Sequence, residues 1–198
     1  MNATIDTISP QELVSPSLSK GRVGMVGLIF AESAIFTIFV VAYLFYLGKS
    51  LTGPTPQQVL ELPILNTFCL LFSSVTITFA VRALGRGRGD LFRIWWIATI
   101  ALGFYFLAGT AREWGRLMHA GLTITTNLFG TTFYSLVGLH ASHVVVGLLA
   151  LTLVLVFALR GAVKTEHVER IEVLALYWHF VDAVWVVVFS VVYLWSLA

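Results

Sequence analysis

The sequence predicts an all-α, polytopic membrane protein, a bundle of five transmembrane helices with a cytoplasmic N-terminus. Hydrophobic residues make up 58% of its 198 positions. Charged residues make up only 11%, against the roughly 25% that is usual in soluble domains. The apolar residues also fall into five separate runs. Each run has about the 20 residues that a helix needs to cross a bilayer.

The five predicted spans follow one another through short polar connections. They cover residues 23–47, 64–84, 94–114, 132–159 and 173–197. Residues 1–21 are polar and contain prolines and serines, which predicts a flexible N-terminal arm before a single membrane domain at 22–198. The apolar run after this arm exceeds the 7–15 residues typical of a signal-peptide core. We therefore interpret it as the first span.

The basic residues predict the orientation, because Lys and Arg concentrate on the cytoplasmic side of membrane proteins. With the N-terminus inside, nine of the twelve basic residues fall on that side. The nine are Lys20, Arg22, Arg82, Arg86, Arg88, Arg93, Arg160, Lys164 and Arg170. Only Lys49, Arg112 and Arg116 fall on the other side. The sequence therefore predicts a cytoplasmic N-terminus and an external C-terminus.

Five acidic or histidine side chains lie in the interior of the predicted spans, away from the span ends. Glu32 is near the middle of the first span, His140 and His143 share the fourth, and His179 and Asp182 share the fifth. Such residues are costly in lipid and usually face protein or water. They are our candidates for a buried polar site or for proton movement, and a purely structural, hydrogen-bonded role stays open for each. Glu32, His179 and Asp182 have comparable predicted depths, which makes a shared cluster possible.

The histidines also raise the question of a metal or a haem. His143 and His179 are the only conceivable facing pair for a haem between two helices. A catalytic zinc site needs three protein ligands, and His119 and His167 fall in loops. We therefore predict no metal site and no catalytic residue. The single cysteine, Cys69, excludes an intrachain disulfide, and the small net charge of +2 without a basic tract argues against nucleic-acid binding.

Two tryptophans of the fifth span form a second pattern. Trp178 and Trp185 are seven residues apart and share one helix face, which predicts helix packing or lipid contact. Small residues such as Gly103 and Gly147 recur in the spans and allow helices to approach closely.

Five segments of the chain are similar, in order, to segments of one known family. The most specific are ALYWHFVDAVWVVVFSVVYLW at 175–195 and GTTFYSLVGLHASHVVVG at 130–147, supported by residues 30–45, 62–80 and 101–114. On these segments the chain resembles subunit III of the haem-copper oxidases, with the cytochrome c oxidase group as the best match. The five-helix form is the similar one, because the glutamate-bearing helix comes first.

This resemblance implies a non-catalytic accessory subunit of a proton-pumping oxidase that reduces oxygen to water. Haems and copper belong to the partner subunits, while subunit III binds subunit I, holds phospholipids in a cleft and supports proton uptake. Glu32 matches the family's membrane-embedded glutamate, which is associated with carbodiimide reactivity. His140, His143, His179 and Asp182 match recurrent polar positions of the family, and the resemblance makes these four residues and Glu32 candidates for proton uptake or for the lipid cleft.

The form of the chain carries two further implications. It lacks the two N-terminal helices of the seven-helix form, so this chain alone does not build the lipid cleft in the same way. The five-helix form implies a bacterial plasma membrane.

Three alternatives stay open at this point. Related subunits serve quinol oxidases, and a similar protein accompanies nitric oxide reductases; the electron donor binds other subunits, so this sequence does not identify it. A third alternative is a free-standing small transporter or channel that uses Glu32 and the histidines as a proton relay. Against it, the sequence shows neither an inverted repeat nor a proline within any span.

Overall fold

The computed structural model describes residues 19–50 and 52–196. Within them it contains five helices long and apolar enough to cross a membrane, which confirms the predicted fold class. The helices are α1 (Lys20–Tyr46), α2 (Pro56–Val59), α3 (Ile64–Gly85), α4 (Gly89–His119), α5 (Leu128–Leu159) and α6 (Val168–Phe189). The short α2 lies in the connection between α1 and α3. A 3₁₀ turn at Thr165–His167 precedes α6, and a π-helical segment at Ser190–Trp195 continues it.

The helices extend beyond several of the predicted apolar spans. Helix α4 begins at Gly89 and ends at His119, although the apolar run covers only 94–114. Helix α5 begins after Asn127, whose side chain accepts a hydrogen bond from the Gly130 backbone N–H at 2.8 Å. Hydropathy detects the apolar part of a helix, whereas backbone hydrogen bonds continue into the polar sequence beside it. Most of the predicted N-terminal arm lies outside the described residues, and α1 begins at Lys20.

Helices α5 and α6 occupy the centre of the bundle. The α3–α4 hairpin forms the most extensive packing and rests on them, α3 against α6 and α4 against α5. Helix α1 packs on the other side, against both α5 and α6. It buries only Phe36 and Tyr43, so most of its side chains face outward.

The indole of Trp178 packs at the centre of the bundle and contacts several helices. A Cβ atom added to Gly147 of α5 would lie 2.8 Å from Trp178 Cζ3, and one added to Gly103 of α4 would lie 3.0 Å from Trp178 Cη2. These two glycines therefore make the space that the ring fills. The indole N–H donates to Ser73 Oγ of α3 at 2.8 Å, so Trp178 joins α6 to three other helices.

Polar contacts join α1 to α6 at one end of the bundle and to the residue after the π-helical segment at the other. The Arg22 side chain forms an ion pair with Glu172 near the start of α6, and the Tyr43 hydroxyl lies 2.8 Å from Ser196 Oγ at the other end. The start of α1 is therefore at the same end as the α3–α4 and α5–α6 connections. That this end is cytoplasmic stays a prediction.

Candidate functional site

Glu32 and His143 form a pair where α1 meets α5. Glu32 Oε2 lies 3.1 Å from His143 Nε2. The other ring nitrogen, Nδ1, lies 2.8 Å from the carbonyl oxygen of Leu139. A carbonyl oxygen only accepts, so Nδ1 carries a proton and donates it to Leu139. The two side chains are 22% and 15% exposed, which leaves the pair partly open at the edge of the bundle.

The hydrogen bond to Leu139 determines which protonation states allow a hydrogen bond between His143 and Glu32. With Nδ1 protonated, a hydrogen bond between Nε2 and the carboxyl group requires one further proton, on either the ring or the carboxyl group. Either Glu32 is neutral and donates to a neutral imidazole, or the pair is a carboxylate and an imidazolium. Both forms hold one exchangeable proton in a hydrogen bond. Two neighbours limit the movement of His143. The Phe36 ring lies 5.0 Å from the His143 ring, and the Tyr177 hydroxyl donates to the His143 carbonyl at 3.2 Å.

His179 and Asp182 form a second cluster, between α6 and α3. The Ser74 hydroxyl donates to Asp182 Oδ2, and its oxygen lies 3.0 Å from His179 Nδ1. Since the serine proton is directed to the carboxyl group, His179 Nδ1–H donates to the serine oxygen. The result is a directed chain from His179 through Ser74 to Asp182. Asp182 is 3% exposed, and its Oδ1 has no hydrogen-bond partner in the described part of the chain.

His140 has a different environment from His143 despite the spacing of three residues. It is fully buried, with its ring 4.9 Å from Trp185 and 5.8 Å from Phe106. Neither ring nitrogen has a hydrogen-bond partner among the residues described. His140 therefore packs as an aromatic ring in the core.

The two tryptophans predicted for packing or lipid contact lie in the same core. Trp178 and Trp185 are 0% and 1% exposed. The Trp185 indole N–H donates to Thr67 Oγ1 at 3.1 Å. Their shared face thus points into the bundle and not toward lipid.

The structure brings the predicted site residues together in two groups and not in one. Glu32 pairs with His143, whereas His179 and Asp182 meet through Ser74. Within 19–50 and 52–196, no hydrogen bond links Glu32 to His179 or Asp182, so the shared cluster that equal depth allowed does not form there. The same residues hold no group of three or more His, Cys, Asp or Glu side chains suited to a metal ion.

A further polar group at the opposite end of the bundle was not among the sequence candidates. The Tyr193 hydroxyl donates to both carboxylate oxygens of Glu113, at 3.0 and 2.9 Å. Nearby, Arg116 forms an ion pair with Glu61 at 3.2 Å and donates to the Val59 carbonyl at 3.0 Å. Glu113 lies one residue before the predicted end of the third span at 114, and Arg116 and Glu61 fall in the predicted connections. The π-helical turn that aims Tyr193 at Glu113 has no signal in the sequence.

Comparison with known proteins identifies the family. The family model described as cytochrome c oxidase subunit III matches residues 14–197, which is nearly the whole chain. The chain belongs to the cytochrome c oxidase subunit III family. As a member of this family it is a subunit of an oxidase complex.

Individual relatives are similar over most of their length. Cytochrome c oxidase subunit 3 of Bacillus sp. (strain PS3) is 36% identical over 169 residues, which cover 84% of this chain and 81% of the relative. Its counterpart from Synechocystis sp. (strain ATCC 27184 / PCC 6803 / Kazusa) is 38% identical, over 86% of this chain and 74% of the relative. Quinol oxidase subunit 3 of Bacillus subtilis (strain 168) is 32% identical, over 89% of both chains. The family thus includes relatives named for two different electron donors.

Proposed function

We propose that this chain is the non-catalytic subunit III of a proton-pumping cytochrome c oxidase in a bacterial plasma membrane. In this role it packs against subunit I, carries no redox centre of its own and holds phospholipids beside the complex. Haems and copper belong to the partner subunits. The observation that carries the proposal is the family match across residues 14–197. The five spanning helices agree with it.

Within this role we assign proton uptake to the Glu32–His143 pair. The pair holds one exchangeable proton, lies within two spanning helices and is partly exposed at the edge of the bundle. These are the properties that a group passing protons to a neighbouring subunit needs. His140, His179 and Asp182 serve the arrangement indirectly, because they fix α5 and α6 against their neighbours.

The first experiment is purification through a tag on this chain in mild detergent, followed by reduced-minus-oxidised spectra. We expect haem bands and a much larger partner subunit in the product. A colourless, homogeneous oligomer of this chain alone would contradict the proposal and would support the transporter alternative.

A quinol oxidase is the second candidate assembly. The Bacillus subtilis relative named quinol oxidase subunit 3 is 32% identical to this chain, close to the 36% of the Bacillus sp. PS3 relative named for cytochrome c oxidase. Oxygen consumption by the purified complex with reduced cytochrome c and with a quinol, supplied separately, distinguishes the two. Activity with quinol alone would replace cytochrome c in the proposal.

The role of the pair is tested by Glu32→Gln in the intact complex. Glutamine keeps the shape and the hydrogen bond but removes the group that gains and loses a proton. We expect severalfold slower proton uptake and a shorter catalytic lifetime during turnover. The control is Glu61→Gln, which removes a carboxyl group that is 76% exposed. Unchanged uptake and lifetime in the Glu32 variant would leave the pair with a structural role only.

A further inference from the structure

The α3–α4 connection carries a basic pocket that the proposed function does not use. The pocket has a volume of about 340 Å³. Its lining includes Phe79 and Arg82 of α3, Arg86 and Arg88 of the turn between the two helices, and Trp95 of α4. We call these five residues the arginine pocket. It lies at the same end of the bundle as the start of α1.

The register of the two helices explains why these side chains converge. Phe79 and Arg82 are three residues apart and share one face of α3. Arg86 follows directly after Gly85, the last residue of that helix. Arg88 directly precedes α4, and Trp95 lies in the second turn of that helix. The Phe79 and Trp95 rings are 5.2 Å apart, which closes the apolar side of the pocket where the helices meet.

The three guanidinium groups of the pocket have no carboxylate partner in the part of the chain that the structure describes. Arg82, Arg86 and Arg88 form no ion pair with any residue of 19–50 or 52–196. The nearest acidic residue in sequence, Asp90, is bonded to Arg93 at 3.0 Å. The pocket therefore concentrates three unbalanced positive charges beside two aromatic rings.

An exposed apolar stripe continues from the pocket toward the middle of the bundle. On α3 it consists of Phe72, Val75 and Phe79, which are 45%, 43% and 42% exposed. Phe72 and Phe79 are seven residues apart, so this part of the stripe is about 10 Å long. Positive charge at one end and apolar surface below match the two halves of a phospholipid.

We infer that the arginine pocket binds the headgroup of an anionic phospholipid whose acyl chains lie along this stripe. Arginine binds phosphate oxygens through two parallel N–H donors, and tryptophan favours the depth of the headgroups. A free phosphate would use the arginines but would leave the stripe uncovered. The inference deepens the lipid-holding part of the proposed function, because it names the class of lipid and its site.

The test compares two triple variants of the full chain, purified with whatever partners accompany it. The first, R82Q/R86Q/R88Q, neutralises the pocket. The matched control, R160Q/K164Q/R170Q, removes three charges from the same end of the bundle but none from the pocket. Each variant removes three positive charges from the end of the bundle that is predicted to be cytoplasmic, so any effect on membrane orientation is the same in both. Native mass spectrometry counts phospholipid on this chain after its release from partners, during titration with phosphatidylglycerol, phosphatidylcholine or inorganic phosphate.

We expect the wild type and the control to bind one phosphatidylglycerol more tightly than phosphatidylcholine. The pocket variant should bind it on the order of 100-fold more weakly, since each arginine near an anionic headgroup contributes about fivefold. Inorganic phosphate should neither bind comparably nor displace the lipid.

Four results would overturn the inference. An equal loss in both triple variants would show general charge attraction, and equal binding of phosphatidylcholine would remove the requirement for an anion. Phosphate that binds as well as the lipid would make the pocket an anion site only. Loss of a partner subunit from the pocket variant with unchanged lipid binding would assign the arginines to a protein contact. Failure of the oxidase proposal is a separate result, because it shows as missing haem and partners while lipid is still counted on this chain.

Discussion

Ionisable residues inside the bundle have three different environments. Glu32 and His143 share a proton between two helices, and His179 reaches Asp182 through the Ser74 hydroxyl. His140 packs against the Phe106 and Trp185 rings, and its ring nitrogens have no hydrogen-bond partner within 19–50 and 52–196. Since an unpaired polar group is costly away from water, the first two arrangements stabilise the contacts α1–α5 and α3–α6 and also place titratable groups there.

The shared proton predicts how Glu32 variants affect stability. Removing the partner of His143 by Glu32→Ala should lower the free energy of unfolding by about 1–3 kcal/mol, the cost of leaving a polar group unsatisfied. Glu32→Gln should cost less than about 1 kcal/mol, because its amide N–H donates to Nε2 as a neutral acid does. Thermal unfolding of both variants in detergent checks this. If both variants lose the same stability, the pair is ionic in the wild type, because neither alanine nor glutamine supplies the negative charge that balances the His143 imidazolium.

Ser74 predicts a second residue-level effect. Ser74→Ala removes the hydroxyl that accepts from His179 and donates to Asp182, which leaves two polar groups unsatisfied. We expect a destabilisation of about 2–4 kcal/mol, and Asp182→Asn should cost less because the amide still accepts from Ser74. The control is Ser142→Ala, because the exposed Ser142 hydroxyl bonds only to the carbonyl of Leu139 in its own helix. A melting temperature of Ser74→Ala equal to that of Ser142→Ala would contradict the directed chain.

The sequence predicts the number and order of the helices better than it predicts where each helix ends and which helices pack together. Five apolar runs are enough to predict five helices, because lipid requires that length and composition. The start of α4 at Gly89 is not visible, because Asp90 and Arg93 interrupt the hydropathy signal while the backbone stays helical. Partners are equally hidden, since Glu32 and His143 are separated by 111 positions and their contact depends on how α1 packs on α5.

Close packing of α5 on α6 predicts the effect of enlarging Gly147. An alanine Cβ there would lie 2.8 and 2.9 Å from two atoms of the Trp178 ring, closer than carbon atoms pack. The buried indole has little freedom to move, so Gly147→Ala should cost about 1–3 kcal/mol of stability. Gly27→Ala is the matched control, because nothing lies within 4 Å of its added Cβ. Thermal unfolding in detergent, followed by tryptophan fluorescence, gives the melting temperature of each variant. Equal melting temperatures would show that the helices around Trp178 move apart to accommodate the added methyl group.

For the whole molecule, the packing separates a tight part from a loosely attached helix. Trp178 binds α3, α4, α5 and α6 together, whereas α1 buries two side chains and yet carries Glu32. The proton-holding pair therefore depends on the position of the most weakly packed span. Glu32 and the YWHFVD segment can be recognised in the sequence as residues of the family. The sequence does not indicate that, of the two histidines of α5, His143 pairs with Glu32 while His140 is buried in the core.

The orientation of the whole bundle is the last prediction. The end that holds the start of α1 also holds nine of the twelve basic residues, which favours a cytoplasmic N-terminus. Because Cys69 is the only cysteine, Cys69→Ser gives a background for single-cysteine labelling. Thr125→Cys, in the connection between α4 and α5, should react with a membrane-impermeant maleimide in intact cells. Glu166→Cys, at the other end, should react only after lysis. The reverse pattern would place the N-terminus outside, and the arginine pocket would then face the external leaflet.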